Sequence, residues 1–94
     1  MSEKNPLYAQ AILSIICELY KNNIPYMPRP LYEGWQIRFP WDSGDVACHG
    51  GTYSSGNGMV ETYQFPWDEG DVSVLTPEEC AKRIIDYYKE ITSL

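Results

Sequence analysis

The stretch Trp35-Gln36-Ile37-Arg38-Phe39-Pro40-Trp41-Asp42-Ser43-Gly44-Asp45-Val46 decides the fold. Trp35, Ile37 and Phe39 alternate with Gln36 and Arg38, the period of a strand with one buried and one open face. Pro40 cannot donate to a ladder, so the strand ends there. Asp-x-Gly then suits a type I turn closed by a glycine in the left-handed region, a three-residue hairpin loop with a bulge. The chain reverses on itself, and the sheet it starts is antiparallel.

The same connection is written twice. Phe65-Pro66-Trp67-Asp68-Glu69-Gly70-Asp71-Val72 repeats Phe39 to Val46 with seven of eight positions identical, at a spacing of 26 residues. Similarity fades outside the octets, and two copies fall short of a solenoid. In an antiparallel meander the first and third connections lie at the same end of the sheet, about 10 Å apart given the strand spacing. The copies are therefore expected side by side, gathering Trp41 and Trp67 with Asp42, Asp45, Asp68, Glu69 and Asp71 into one acidic, aromatic edge. From residue 39 to 81 there are eight acids and no Lys or Arg, so nothing nearby in sequence neutralises that edge.

Working outward, a second strand is expected from about Asp45 to Tyr53 and a third from about Met59 to Phe65, joined by the loop Ser54-Ser55-Gly56-Asn57-Gly58. Parity sets Glu61 with Met59, Tyr63 and Phe65, a conflict that an exposed strand end or a register shifted by one would resolve. Val72 to Leu75 makes a short fourth strand. Upstream, the prolines at 25, 28 and 30 mark Ile24 to Leu31 as a stiff, extended connector; a Pro25-x-x-Pro28 ligand for a proline-reading module is the less economical reading.

Both ends read as helices. Asn5-Pro6 is a cap and first helical position, and the pattern runs to Asn22-Asn23. Gln10, Ser14 and Glu18 form one narrow polar stripe, with Leu7, Ala11, Ile12, Leu13, Ile15, Ile16, Cys17, Leu19 and Tyr20 around the remaining circumference. A helix so broadly apolar must be covered on more than one side, by its own domain or by a second subunit, which points to self-association. Those polar interruptions and the lack of a small-residue cleavage site read against a signal peptide, and the stretch is too short and polar to span a membrane. Thr76-Pro77-Glu78-Glu79 opens the last helix with an N-cap, a first-turn proline and a capping-box glutamate. Ala81, Ile84, Ile85, Tyr88 and Ile91 line one face of it, and Glu78–Lys82 and Glu79–Arg83 are spaced to pair on the other.

The order helix, four strands, helix gives a single α+β domain over residues 1–94, a two-layer sandwich with both helices on one face of a four-stranded antiparallel meander. Ninety-four residues of 10.8 kDa hold one core of this size and no second. With 44% hydrophobic residues and a net charge of −6 the chain is apolar enough to fold. Thirteen acids against seven bases argue against direct nucleic-acid binding. The helix, three strands and helix superficially resemble double-stranded-RNA-binding domains, but Glu78-Glu79 stands where such a domain would carry lysines.

Catalytic and metal chemistry find little support. Cys17, Cys48 and Cys80 are widely spaced and odd in number, which fits a reducing, cytoplasmic setting and buried structural thiols. With His49 they lack the short paired spacings of a zinc site. Cys48 and His49 are strand neighbours facing opposite ways, so they do not form a nucleophile and base; His49 shares the open face with Gln36 and Arg38, and with Gln64. The glycines of His49-Gly50-Gly51 and Gly56-Asn57-Gly58 have no G-K-[ST] and open no helix, so they carry no phosphate loop. Asp-x-Gly-Asp lacks the spacing and bidentate glutamate of a calcium loop.

Besides calcium, two readings of the edge remain. Each Asp can bond its own turn while each Trp packs inward. Alternatively, tryptophan on a charged rim anchors a partner, and the acidic field steers a basic one. The expected function is a small acidic, non-enzymatic protein-interaction module that self-associates and engages a basic partner through Trp41, Asp42, Asp45, Trp67, Asp68, Glu69 and Asp71. An inhibitor seated in the basic channel of a nucleic-acid-binding protein is its specific variant. The alternative is a small-ligand binder with an aromatic-lined site at a subunit interface. No cofactor and no metal are expected.

Overall fold

The computed structural model describes residues 6–49 and 58–93. Helix α1 spans Pro6–Lys21, strands β1 to β5 span Met27–Leu31, Gly34–Phe39, Asp42–Cys48, Val60–Tyr63 and Val72–Leu75, and helix α2 spans Pro77–Thr92. All neighbouring strands are antiparallel, in the order β1-β2-β3-β4-β5. The α+β class and the meander are as expected, with five strands instead of four. The loop expected at Ser54 to Gly58 lies, apart from Gly58, outside the described residues, as do the Asn5 cap and the end of the strand expected to reach Tyr53.

The additional strand is the stretch read as a connector. Met27 to Leu31 pairs with Arg38 to Gly34 through the two-residue turn Tyr32-Glu33. Prolines alternate there with Met27, Arg29 and Leu31, which retain their N–H groups, so β1 bonds β2 with one row of residues and turns the proline row outward. The residues that interrupt a central strand are the ones that suit an edge and keep it from pairing with another chain.

α1 ends where the sequence indicates, by a defined device. Asn23 takes φ 57°, its N–H bonds Tyr20 O at 3.1 Å, and the Ile24 N–H reaches Leu19 O at 3.0 Å. This is a Schellman stop with buried Ile24 as its apolar contact. α2 starts on Thr76, whose hydroxyl accepts from Glu79 N–H at 3.1 Å. On its exposed side Arg83 pairs with Glu79 at 2.8 Å, as expected, but Lys82 pairs with Asp86 at 3.1 Å and not with Glu78.

Both helices cover one face of the sheet. Ile15, Leu19, Ile37, Val46, Val60 and Ile84 are fully enclosed there, each contributing about 1.5–3 kcal/mol by leaving water. Of the three thiols expected to be buried, Cys48 and Cys80 join this core while Cys17 is exposed on α1; burial pushes the Cys48 thiol up to about 11 and raises the Cys80 thiol as well. Ile91, expected on the packed face of α2, is instead 44% exposed.

The other face of the sheet has no helix. Two rows cross it by register, Arg29, Gln36, Ala47, Glu61, Val74 and Met27, Arg38, Asp45, Tyr63, Val72. The parity conflict at Glu61 resolves here. Gln64 takes φ 68°, which ends the alternation after Tyr63 and turns Phe65 to the core while Glu61 and Tyr63 stay on the open face. Gln64 thus leaves the sheet instead of extending the polar patch. His49 follows directly on β3, with its ring 5.1 Å from that of Tyr32.

Candidate functional site

The β2–β3 and β4–β5 connections lie at one end of the sheet, as the meander requires, and the octets meet there. The rings of Phe39 and Phe65 are 5.8 Å apart. Trp67 stacks on Phe65 at 4.6 Å with 8° between planes, and Trp41 packs on Phe39 at 5.1 Å and edge-on to Tyr88 at 4.9 Å. Tyr87 stands 6.0 Å from Trp41, Phe65 and Trp67 alike. The repeat thus builds an aromatic cluster that ties the second half of α2 to the sheet.

The octets share a sequence but not a backbone path. In the first, Phe39 pairs directly with Asp42 around Pro40-Trp41, and the register then jumps so that Ser43 and Gly44 bulge from β3 before Asp45 meets Arg38. In the second, β4 has stopped at Tyr63, no pairing holds Phe65, and the chain makes a 3-10 turn over Pro66–Asp68. Glu69 and Gly70 then take φ 51° and 86°. The expected left-handed glycine is therefore found at Gly70 alone. Gly44 is needed for close approach: a Cβ there would lie 2.8 Å from the Phe65 ring.

The two leading carboxylates differ accordingly. Asp42 is half-buried; its Oδ2 accepts from Gly44 N–H at 2.9 Å and its Oδ1 from the Tyr87 hydroxyl at 2.8 Å. That bond to a carboxylate raises the Tyr87 phenol above its ordinary range. Asp68 is 4% exposed, accepting from Thr62 Oγ1–H at 2.8 Å and from Phe65 N–H at 3.0 Å. Thr62 Oγ1 in turn accepts from Trp67 Nε1–H at 2.9 Å, while Trp41 Nε1–H donates to Pro25 O at 2.8 Å. Both indole N–H groups are thus satisfied within the chain.

The remaining members of the edge divide between two surfaces. Asp45 lies on the open sheet face, opposite Arg38 and bonded to Gln36. Burial raises its carboxyl above the usual range, an effect that Arg38 only partly offsets. A folded-state value above the unfolded one means Asp45 favours the fold at low pH and loses that contribution as pH rises through the carboxylate range. Asp45→Asn should therefore raise the melting temperature at neutral pH and leave it nearly unchanged below about pH 3. A lower melting temperature at neutral pH would contradict this assignment.

Glu69 and Asp71 are exposed beyond the aromatic cluster, and Asp71 Oδ1 accepts from Val72 N–H at 2.8 Å. The structure therefore brings the two octets to one end but does not form a cluster of five free carboxylates. Asp42 and Asp68 are committed to internal bonds, and Asp45 faces Arg38. Exposed at this end are Glu69, Asp71, the proline rings of Pro40 and Pro66, and the outer parts of two half-buried indoles.

Four partners of this site escape sequence reasoning. Thr62 is the buried hydroxyl that joins Trp67 to Asp68; its place one residue after Glu61 carries the only signal, since an open-face glutamate puts its neighbour inside. Tyr87, Arg38 and Arg83 arrive by packing, with the Arg83 guanidinium 5.9 Å from the Trp67 ring. A different groove, of about 570 Å³, runs between α1 and α2 past Ser14, Cys17, Glu18 and Lys82, away from the octets. Among the described residues no three His, Cys, Asp or Glu side chains converge as metal ligands, and no helix is long and apolar enough to cross a membrane. Compared with protein-family models, curated proteins and solved structures, the chain matches none.

Proposed function

We propose that this chain is a small non-enzymatic interaction module that self-associates and presents its doubled hairpin end to a basic protein partner. One observation carries the reading: two nearly identical octets converge on a stiff aromatic base whose own polar atoms are internally bonded, leaving Glu69 and Asp71 displayed beyond it. A base held this firmly gives up little side-chain freedom when it binds, and uncompensated carboxylates draw Lys- or Arg-rich surfaces. The partner's docking surface is of the kind that otherwise holds nucleic-acid phosphates, so an inhibitor of a nucleic-acid-binding protein is the specific form proposed. Three free cysteines suit a reducing, cytoplasmic compartment.

A photo-crosslinking residue at exposed Pro66 tests the site in its native extract. It should trap a Lys- or Arg-rich protein, identified by mass spectrometry, whereas the same residue at Lys89 on α2 should not. Equal trapping at both positions, or none at Pro66, would overturn the proposed surface.

A further inference from the structure

The two faces of the Trp67 indole are covered differently. Phe65 stacks on the ring at 4.6 Å with 8° between planes, and Tyr87 meets it edge-on at 6.0 Å. Over the ring stands the guanidinium of Arg83, 5.9 Å from its centroid. Because Phe65 already occupies the inner face, this guanidinium takes the outer one, the part of the indole turned toward solvent at the doubled hairpin end.

Arg83 is held loosely there. Its distance of 5.9 Å stands at the far limit of a cation–π contact, which reaches about 6 Å. One bond latches it, from its Nε–H to Glu79 Oε2 at 2.8 Å, between side chains 38% and 47% exposed. Water and salt readily replace an ion pair so open to solvent, so swinging Arg83 aside costs little. The indole beneath is firm by comparison, backed by Phe65 and tied at Nε1–H to the Thr62 hydroxyl at 2.9 Å.

We propose that the outer face of Trp67 is a subsite for an arginine side chain of the partner, and that Arg83 covers it in the unbound chain. This rests on the reading of a basic partner and narrows it, because the chain's own guanidinium marks the cation that this face takes. A guanidinium is planar and weakly hydrated and lies flat on an indole, whereas an ammonium is compact and keeps its water. Tryptophan is the ring that holds such a cation best. The exposed carboxylates of Glu69 and Asp71, two and four positions further along the chain, accept from the incoming guanidinium as Glu79 accepts from Arg83. Arg83 opposes binding in two ways, by occupying the face and by setting a like charge beside it. An arriving arginine takes over the ring while Arg83 turns out to solvent, so one stacked cation exchanges for another.

Titration of the full chain with hexa-arginine and hexa-lysine peptides at equal ionic strength, followed by the indole N–H resonance of Trp67, tests the subsite. Hexa-arginine should move that resonance and bind several-fold more tightly than hexa-lysine. Arg83→Gln should raise the affinity for hexa-arginine about fivefold. Lys82→Gln, which removes the same charge from an exposed pair on the same helix, should raise it by no more than about twofold. Arg83→Lys keeps the charge and loses the planar fork, and should give an intermediate gain that charge alone does not produce. Equal gains for Arg83→Gln and Lys82→Gln overturn the covering role of Arg83, and equal affinity for the two peptides overturns the arginine subsite. Either failure leaves binding through Glu69 and Asp71 standing, whereas a chain that traps no basic protein at Pro66 overturns the functional reading whatever the peptides do.

Discussion

Asp68→Ala is expected to cost the fold about 3 kcal/mol, and Asp42→Ala, the same letter of the other octet, about 1 kcal/mol. Each carboxylate accepts two hydrogen bonds, so a count of bonds would predict equal losses. Burial separates them. Removing Asp68 strands the Phe65 N–H and the Thr62 hydroxyl hydrogen where Asp68 itself is 4% exposed, and each orphaned donor then bears its desolvation cost without a bond. Removing Asp42 frees Gly44 N–H and the Tyr87 hydroxyl at a half-buried site near solvent, where water can replace it. Asp68→Asn, which retains one acceptor oxygen, should fall between. Chemical denaturation followed by tryptophan fluorescence measures all three; equal losses for Asp42→Ala and Asp68→Ala would mean the second octet is not the buried network described.

Gly34→Ala is the other large effect, with an expected loss of about 3 kcal/mol or more from overpacking that cannot relax. A Cβ at Gly34 would run into the Cys48 carbonyl oxygen and stand 2.8 Å from the His49 Cα. Those are backbone atoms of the paired strand and cannot rotate aside, so the first rung between β2 and β3 must open. Because Cys48 is fully enclosed, that opening admits water to the core. Denaturant unfolding should show the lowered midpoint, and native-state hydrogen exchange should locate the faster-exchanging amides at the Gly34 end of the ladder. A midpoint within experimental error of wild type would refute the close approach.

These two residues also mark the limit of what the sequence discloses. The meander, the side-by-side octets and the final helix follow from period-two alternation, turn residues and an N-cap, all of which act within a few positions of themselves. The fifth strand does not, because proline carries opposite meanings at the centre and at the edge of a sheet, and only the neighbouring strand decides between them. Gly34 is silent for a similar reason: its role is set by Cys48 across the ladder. Gly44 and Gly70 occupy one position of one repeated octet, yet a ring contact fixes the first and a left-handed backbone the second. Asp42 and Asp68 diverge in the same way once Gln64 reverses the strand's parity.

For the two octets, the sequence placed them at one end of the sheet and overstated the charge there. Local reading finds no cation between residues 39 and 81, whereas folding brings Arg38 opposite Asp45 and Arg83 near the Trp67 ring. Burial, which no spacing reveals, withdraws Asp68 altogether. The carboxylates left exposed beyond the aromatic cluster are Glu69 and Asp71.

Partner capture by a double variant, Glu69→Lys with Asp71→Asn, tests that surface most directly. The asparagine retains an acceptor for Val72 N–H, and Glu69 is exposed, so the melting temperature should match wild type. Against the partner trapped at Pro66, at low ionic strength, affinity should fall at least tenfold and lose most of its salt dependence. Unchanged affinity with the fold intact would contradict the proposal that this acidic end is where the module binds.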